Sequence, residues 1–158
     1  MPEQYILNWQ KFGTSMATNV KLSVTLRPIG EPLMGIRLHE YTQYGCLHEP
    51  TTIDIEFNTD SAIAILEIEH SGKTDLDPTT AIVIDSIGFF GIHDPKFAWT
   101  GTYYPEYPEL WASQQLIKPP AEITGQTYLG WNGIYRLEFG IPVFTWMHQI
   151  QNLGWIYR

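Results

Sequence analysis

Five aromatic rings crowd into twelve residues, Phe97-Ala98-Trp99-Thr100-Gly101-Thr102-Tyr103-Tyr104-Pro105-Glu106-Tyr107-Pro108, and Trp111 follows three residues later. Gly101, Pro105 and Pro108 interrupt any regular period, so the segment reads as a loop. Rings on a loop need a partner. Either they fold back over a sheet and complete the core, or they are offered outward. An exposed aromatic face stacks on the apolar face of a pyranose, or anchors a protein interface, with large contact area and little rotamer entropy. The candidate ligand- or partner-binding residues are therefore Trp99, Tyr103, Tyr104, Tyr107 and Trp111. Of these, Trp111 is expected in the core, and Trp99 and Tyr103 against a partner.

Metal chemistry has one sequence candidate. Asp75 and Asp77 lie on the polar connection His70-Ser71-Gly72-Lys73-Thr74-Asp75-Leu76-Asp77-Pro78. Carboxylates on such a loop suit calcium, which takes six to eight oxygens. Glu69, Asp85 and Asp94 are available to complete the set. The competing reading is that these acids cap turns and solvate the loop. The five histidines (His39, His48, His70, His93 and His148) form no H-x-H or H-x-x-x-H pair, so a zinc site would have to be assembled from remote strands. Cys46 stands two residues from His48 in Gly45-Cys46-Leu47-His48. Without an oriented third group that pair is no activated nucleophile, and Cys46 reads as a small apolar residue at a turn. There is no G-x-S-x-G elbow. Gly130-Trp131-Asn132-Gly133 lacks the lysine of a phosphate loop and reads as an Asn-Gly turn. The expectation is a protein that is not an enzyme and requires no cofactor, with calcium as an optional ligand.

Composition narrows the partners. The 158 residues carry a net charge of −8, of which −7 lies in residues 1–96 and −1 in residues 97–158. Affinity for phosphate backbones comes from clustered cations, so nucleic acid is not expected as a partner. One cysteine excludes an internal disulfide framework. No signal peptide is read at the N-terminus, and no apolar run approaches a membrane span.

The elements that must position these residues are strands. Val20–Leu26, Ile36–His39 and Ile53–Phe57 alternate apolar and polar, the mark of half-buried antiparallel strands. Ile63–Glu69 does so with a phase shift at Ile65/Leu66, where a bulge is expected. Ala81–Ile87 reads as a central strand. One short helix is expected within Pro108–Lys118, and further strands near Thr127–Leu129, Ile134–Phe139 and Val143–Met147. Helix is expected in less than about a tenth of the chain. The fold expected is all-β: an antiparallel, jelly-roll-like β-sandwich over residues 20–158, preceded by an irregular N-terminal arm at residues 1–19. Ile53, Ile55, Phe57, Leu66, Ile68, Ile82 and Ile84 are its expected core.

Between Leu22 and Gly91 the order of signals resembles the calcium-dependent xylan-binding jelly-roll modules found beside some polysaccharide-degrading enzymes. The resemblance is carried by a strand, a Pro-marked loop, two alternating strands, an acidic loop and Val83-Ile84-Asp85-Ser86-Ile87 running to Gly91. It implies a sugar-binding, calcium-assisted module. The chain departs from it at Thr79-Thr80-Ala81, where the family has the Asp-Arg-Asn tripeptide that helps hold calcium. In general style the chain is also similar to small β-rich proteins of tailed phages, cyanophages in particular. That likeness implies a virion component such as a tail, fibre or capsid-decoration subunit, assembled in the host cytoplasm. The sequence thus ranks first a non-enzymatic protein that assembles with other virion proteins or with copies of itself. The alternative is a carbohydrate-binding module with a polysaccharide as partner.

Overall fold

A computed structural model describes residues 17–74 and 80–151. Among them 53% lie in strands and 14% in helices. The strands are β1 (Thr18–Ile29), β2 (Leu33–Leu38), β3 (Tyr41–Cys46), β4 (Thr51–Thr59), β5 (Ile63–Ser71), β6 (Ala81–Phe89), β7 (Ile92–His93), β8 (Thr102–Pro105), β9 (Ile123–Thr124), β10 (Tyr128–Leu129) and β11 (Gly133–Gly140). Three short helices are α1 (Pro95–Trp99), α2 (Glu109–Ser113) and α3 (Val143–Ile150).

The strands form two antiparallel sheets. One runs β10-β6-β1-β4 with β7 also on β6; the other runs β3-β2-β5-β11-β8-β9. Apart from the β2–β3, β6–β7 and β8–β9 pairs, each strand is followed by one in the other sheet, as in a jelly-roll sandwich. The reason is visible in β1, where Val20, Leu22, Val24 and Leu26 are buried and the residues between them are not. A strand with one apolar face needs a second sheet to cover it. Met34, Ile36, Leu38, Leu66, Ile68, Tyr135, Leu137 and Phe139 supply that cover. Six of the seven expected core residues are buried, and Phe57 is half-buried, stacked on His39.

Four local expectations are corrected. The register of β5 against both β2 and β11 is unbroken, so there is no bulge at Ile65/Leu66; Ile65 simply lies on the outer face. The irregularity is in β6, whose pairing with β1 passes from Ser86 to Ile84 and leaves Asp85 as the extra residue. Next, the β2–β3 chain reversal is at His39-Glu40, with His39 at φ 57°, and not at Gly45, which pairs with Met34 inside β3. Gly130–Gly133 joins β10 of one sheet to β11 of the other, so it is a crossing between sheets and not a hairpin turn. Finally, Val143–Met147 is helical. Val143, Trp146 and Met147 are buried at i, i+3 and i+4 while Phe144 is exposed, which is helical and not strand spacing. Helix content therefore lies above the expected tenth.

The helices close the sandwich through an aromatic cluster. Phe89 meets Phe97, Phe139 and Trp146 edge-on, with centroids 5.5, 4.9 and 5.4 Å away. Phe97 comes from α1 and Trp146 from α3, so one ring on β6 holds both helices and β11. Phe89→Ala is expected to cost about 3–5 kcal/mol. Urea denaturation reads this as a lower midpoint at unchanged m value.

Candidate functional site

The residues expected to form one aromatic loop are dispersed by the fold. Phe97–Trp99 is helix α1, and Thr102–Pro105 is strand β8 paired with β11. Along β8 the side chains alternate, so Tyr103 enters the core at 1% exposure while Tyr104 faces out at 40%. Tyr103 is thus corrected from a partner-contact residue to a core residue. Trp99 stands out from α1 at 55% exposure, beside a pocket of about 290 Å³ lined by β6 residues, His93 and Asp94. Tyr107 and Trp111 are half-buried, so Trp111 is not the core residue expected.

Tyr107 and Trp111 instead meet a third ring, Trp131. Tyr107 and Trp111 stack at 5.5 Å and 27°, Trp111 meets Trp131 at 4.8 Å and 46°, and Tyr107 meets Trp131 edge-on at 5.8 Å. Beside Trp111 and Trp131 opens a cleft of about 230 Å³, lined also by Lys73, Thr74, Glu106, Pro108 and Asn132. The cleft is mostly apolar, with a few polar groups converging on it, which is the usual make-up of a small-ligand site.

The cleft is held by hydrogen bonds from the core outward. The Tyr103 hydroxyl donates to the Trp131 carbonyl and accepts the Trp131 N–H at 3.0 Å. Burial pushes that hydroxyl well above the usual tyrosine range, which keeps it a donor. Asn132 clasps the backbone of Lys73 from both sides: its Oδ1 accepts the Lys73 N–H and its Nδ2 donates to the Lys73 carbonyl, each at 2.9 Å. Lys73 Nζ donates to the Gly130 carbonyl at 2.5 Å and lies 4.9 Å from the centre of the Trp131 ring, a cation–π contact. The Glu106 N–H donates to the Asn132 carbonyl at 2.6 Å. The Tyr107 hydroxyl, raised by burial, donates to the Pro120 carbonyl at 2.7 Å. Gly133 closes the turn at φ 152°, where a Cβ would stand 2.3 Å from the Tyr104 carbonyl oxygen. Only glycine fits so close to β8.

Asp75 and Asp77 lie outside the described residues. The three carboxylates expected to join them each have partners of their own. Asp85 pairs with Arg27 at 3.2 Å, and Glu69 with Arg37 at 3.5 Å. Asp94 caps α1, accepting the Lys96 N–H at 3.0 Å and Gln151 Nε2 at 2.9 Å, and these bonds hold its carboxyl below the usual range. They form no common calcium set.

Trp131, Lys73 and Asn132 were not sequence candidates. The available signal was a Trp placed between two turn glycines, where a bulky ring has no local packing role. No family model and no curated protein sequence matches the chain. Two solved structures do. One is described as vCBM60 in complex with galactobiose, at 15% identity and TM-score 0.46, covering 76% of this chain and 97% of its own. The other is the selenomethionine form of vCBM60, described with a circular permutation that links two families of calcium-dependent carbohydrate-binding modules. It has 12% identity and TM-score 0.49, and covers 76% of this chain and 90% of its own. Likeness at this level says nothing of ligand or metal.

The Tyr103–Trp131 link gives a direct test. Tyr103→Phe keeps the ring and removes both hydrogen bonds, and is expected to cost about 1–3 kcal/mol. Tyr104→Phe, on the outer face, is expected to stay within about 0.5 kcal/mol. Urea melts of the two variants check the contrast.

Proposed function

We propose that the chain is a non-catalytic carbohydrate-binding domain whose site is the cleft at Trp111 and Trp131. The observation that carries this reading is the joined surface of Tyr107, Trp111 and Trp131 beside pre-positioned polar groups on Lys73, Glu106 and Asn132. A sugar ring has an apolar C–H face and a rim of hydroxyls. The first suits indole faces and the second suits the carboxylate, ammonium and amide. The ring positions are set by the fold before any ligand arrives, which limits the entropy lost on binding. A net charge of −8 repels acidic polymers, so the expected ligand is a neutral glycan. This reverses the order in which the sequence ranks sugar binding and virion assembly.

The assembly reading keeps one observation of its own. Leu110, Leu116 and Ile117 are exposed at 70%, 104% and 84%, on and just after α2. A patch of this kind suits a protein partner.

Affinity electrophoresis and calorimetry against soluble xylan, galactan and β-glucan test the proposal. Wild-type protein is expected to bind at least one of them. Trp111→Ala and Trp131→Ala are expected to weaken binding at least about tenfold, since truncating an aromatic anchor at the centre of a binding site costs on the order of 2 kcal/mol or more. Trp99→Ala should bind as wild type. Failure of every glycan to bind, or tryptophan variants that bind unchanged, would overturn the reading. Light scattering on the same samples then shows whether a stable oligomer favours assembly.

Calcium enters this reading only through Asp75 and Asp77. If they hold the ion, a calcium-selective chelator lowers the melting temperature, because a ligand bound only by the native state stabilises it, by about 2.7 kcal/mol at a hundredfold excess over Kd. Added calcium, and not zinc, should restore it. An unchanged melt assigns these acids to the turn.

A further inference from the structure

The outer end of the β2–β3 pair carries a second cluster. Leu33 pairs with Cys46. Beyond the strand ends the Leu47 N–H still donates to the Pro32 carbonyl at 2.9 Å, so the register runs on and sets Glu31 opposite His48. Leu47 is buried at 4% exposure. Because side chains alternate, Cys46 and His48 on either side of it both face outward. Glu31, Cys46 and His48 therefore share one solvent-facing patch. His48 Nδ1 lies 3.5 Å from Glu31 Oε1, and the Cys46 thiol donates to the Glu31 carbonyl at 3.5 Å. The carboxylate oxygen, the sulfur and the imidazole nitrogen all lie within 4.8 Å of one another.

We propose that Glu31, Cys46 and His48 bind a thiophilic divalent metal ion, with zinc as the type. Thiolate, imidazole and carboxylate are each ordinary zinc ligands, at about 2.0–2.3 Å from the ion. Such bonds set tetrahedral edges of roughly 3.3–3.7 Å, and the His48–Glu31 edge of 3.5 Å already meets that. The remaining separations close by rotation of side chains that face solvent. The sulfur excludes calcium and magnesium, which take oxygen ligands, and selects zinc, cobalt or copper. Three protein ligands leave the fourth position to water. The backbone under the site is fixed by the ladder and by buried Leu47, so the metal need not organise the chain. The simpler account, an exposed His–Glu ion pair beside an unrelated thiol, contributes little to stability and gives the three groups no joint role. This site shares no residue with the aromatic cleft and does not depend on the sugar reading.

Cobalt(II) titration of the full chain, followed by zinc competition, tests the site. Wild-type protein should bind one equivalent and show a thiolate-to-cobalt charge-transfer band that zinc abolishes. Cys46→Ser should lose the band. His48→Gln and Glu31→Gln should each weaken binding at least about tenfold, the loss that even a supporting partner brings. No band in wild-type protein would overturn the proposal. So would a band unchanged in both His48→Gln and Glu31→Gln, which would leave only a thiol binding cobalt by itself. Histidine NMR of the wild-type chain gives a test free of substitutions. Zinc should shift the ring signals of His48 and leave those of His39 and His93; signals that do not move would count against the site.

Discussion

The hydroxyl of Tyr103 joins the two halves of this molecule that matter for function. Its ring is packed between the sheets, while its oxygen reaches out to the amide and carbonyl of Trp131. A hydroxyl buried this deeply must find partners, because an unmade hydrogen bond in the interior costs about 1–3 kcal/mol. The Trp131 backbone satisfies it, and in doing so is held at a fixed height above the core. The Trp131 ring, the Lys73 ammonium over it and the Trp111 ring beside it are then positioned relative to the sheet. Core packing and cleft geometry are coupled through one side chain.

The same economy of contacts appears around Asn132. A single amide satisfies both the N–H and the carbonyl of Lys73, and the Asn132 carbonyl accepts from Glu106. Three segments distant in sequence, near residues 73, 106 and 132, are thus tied by the Asn132 side-chain amide on one side and its backbone carbonyl on the other. A cleft built this way has the Asn132 amide and the Lys73 ammonium in place before a ligand arrives, because the same bonds that tie the frame also orient them.

The two proposed sites use opposite consequences of strand alternation. At β8 the alternation turns one of two adjacent tyrosines inward, which makes it a support for the cleft. At the end of β3 it turns Cys46 and His48 outward on either side of buried Leu47. In both cases the spacing of two residues in the chain decides which groups meet, and the neighbouring strand decides what they meet. Register also brings the sites to the same end of one sheet: Leu33 pairs with both Cys46 and Ser71, and His70 with Gly133, which in turn pairs with Pro105.

Alternation in β1, β2 and β4 was enough to read the all-β class and much of the core from sequence, since period 2 follows from the pleat and needs no long-range knowledge. The Asn132-Gly133 signal was a weaker guide: Gly133 is required by the nearby β8 backbone and not by a hairpin. Val143–Met147 reads as a strand because five residues with apolar ends fit either period, and only the packing of α3 on β11 and α1 decides for helix. The aromatic segment shows the same limit. Sequence determined that many rings lie between Phe97 and Trp111, but not that Tyr103 goes in, Trp99 goes to another face, and Tyr107 and Trp111 wait for Trp131, twenty residues beyond Trp111. The Glu31–Cys46–His48 cluster was half visible, as Cys-x-His, and lacked the third ligand that the β2–β3 register supplies. What sequence determines is local periodicity, because that is written in neighbouring residues. Which side chains converge on a site depends on strand pairing across the fold, and only the tertiary structure decides it.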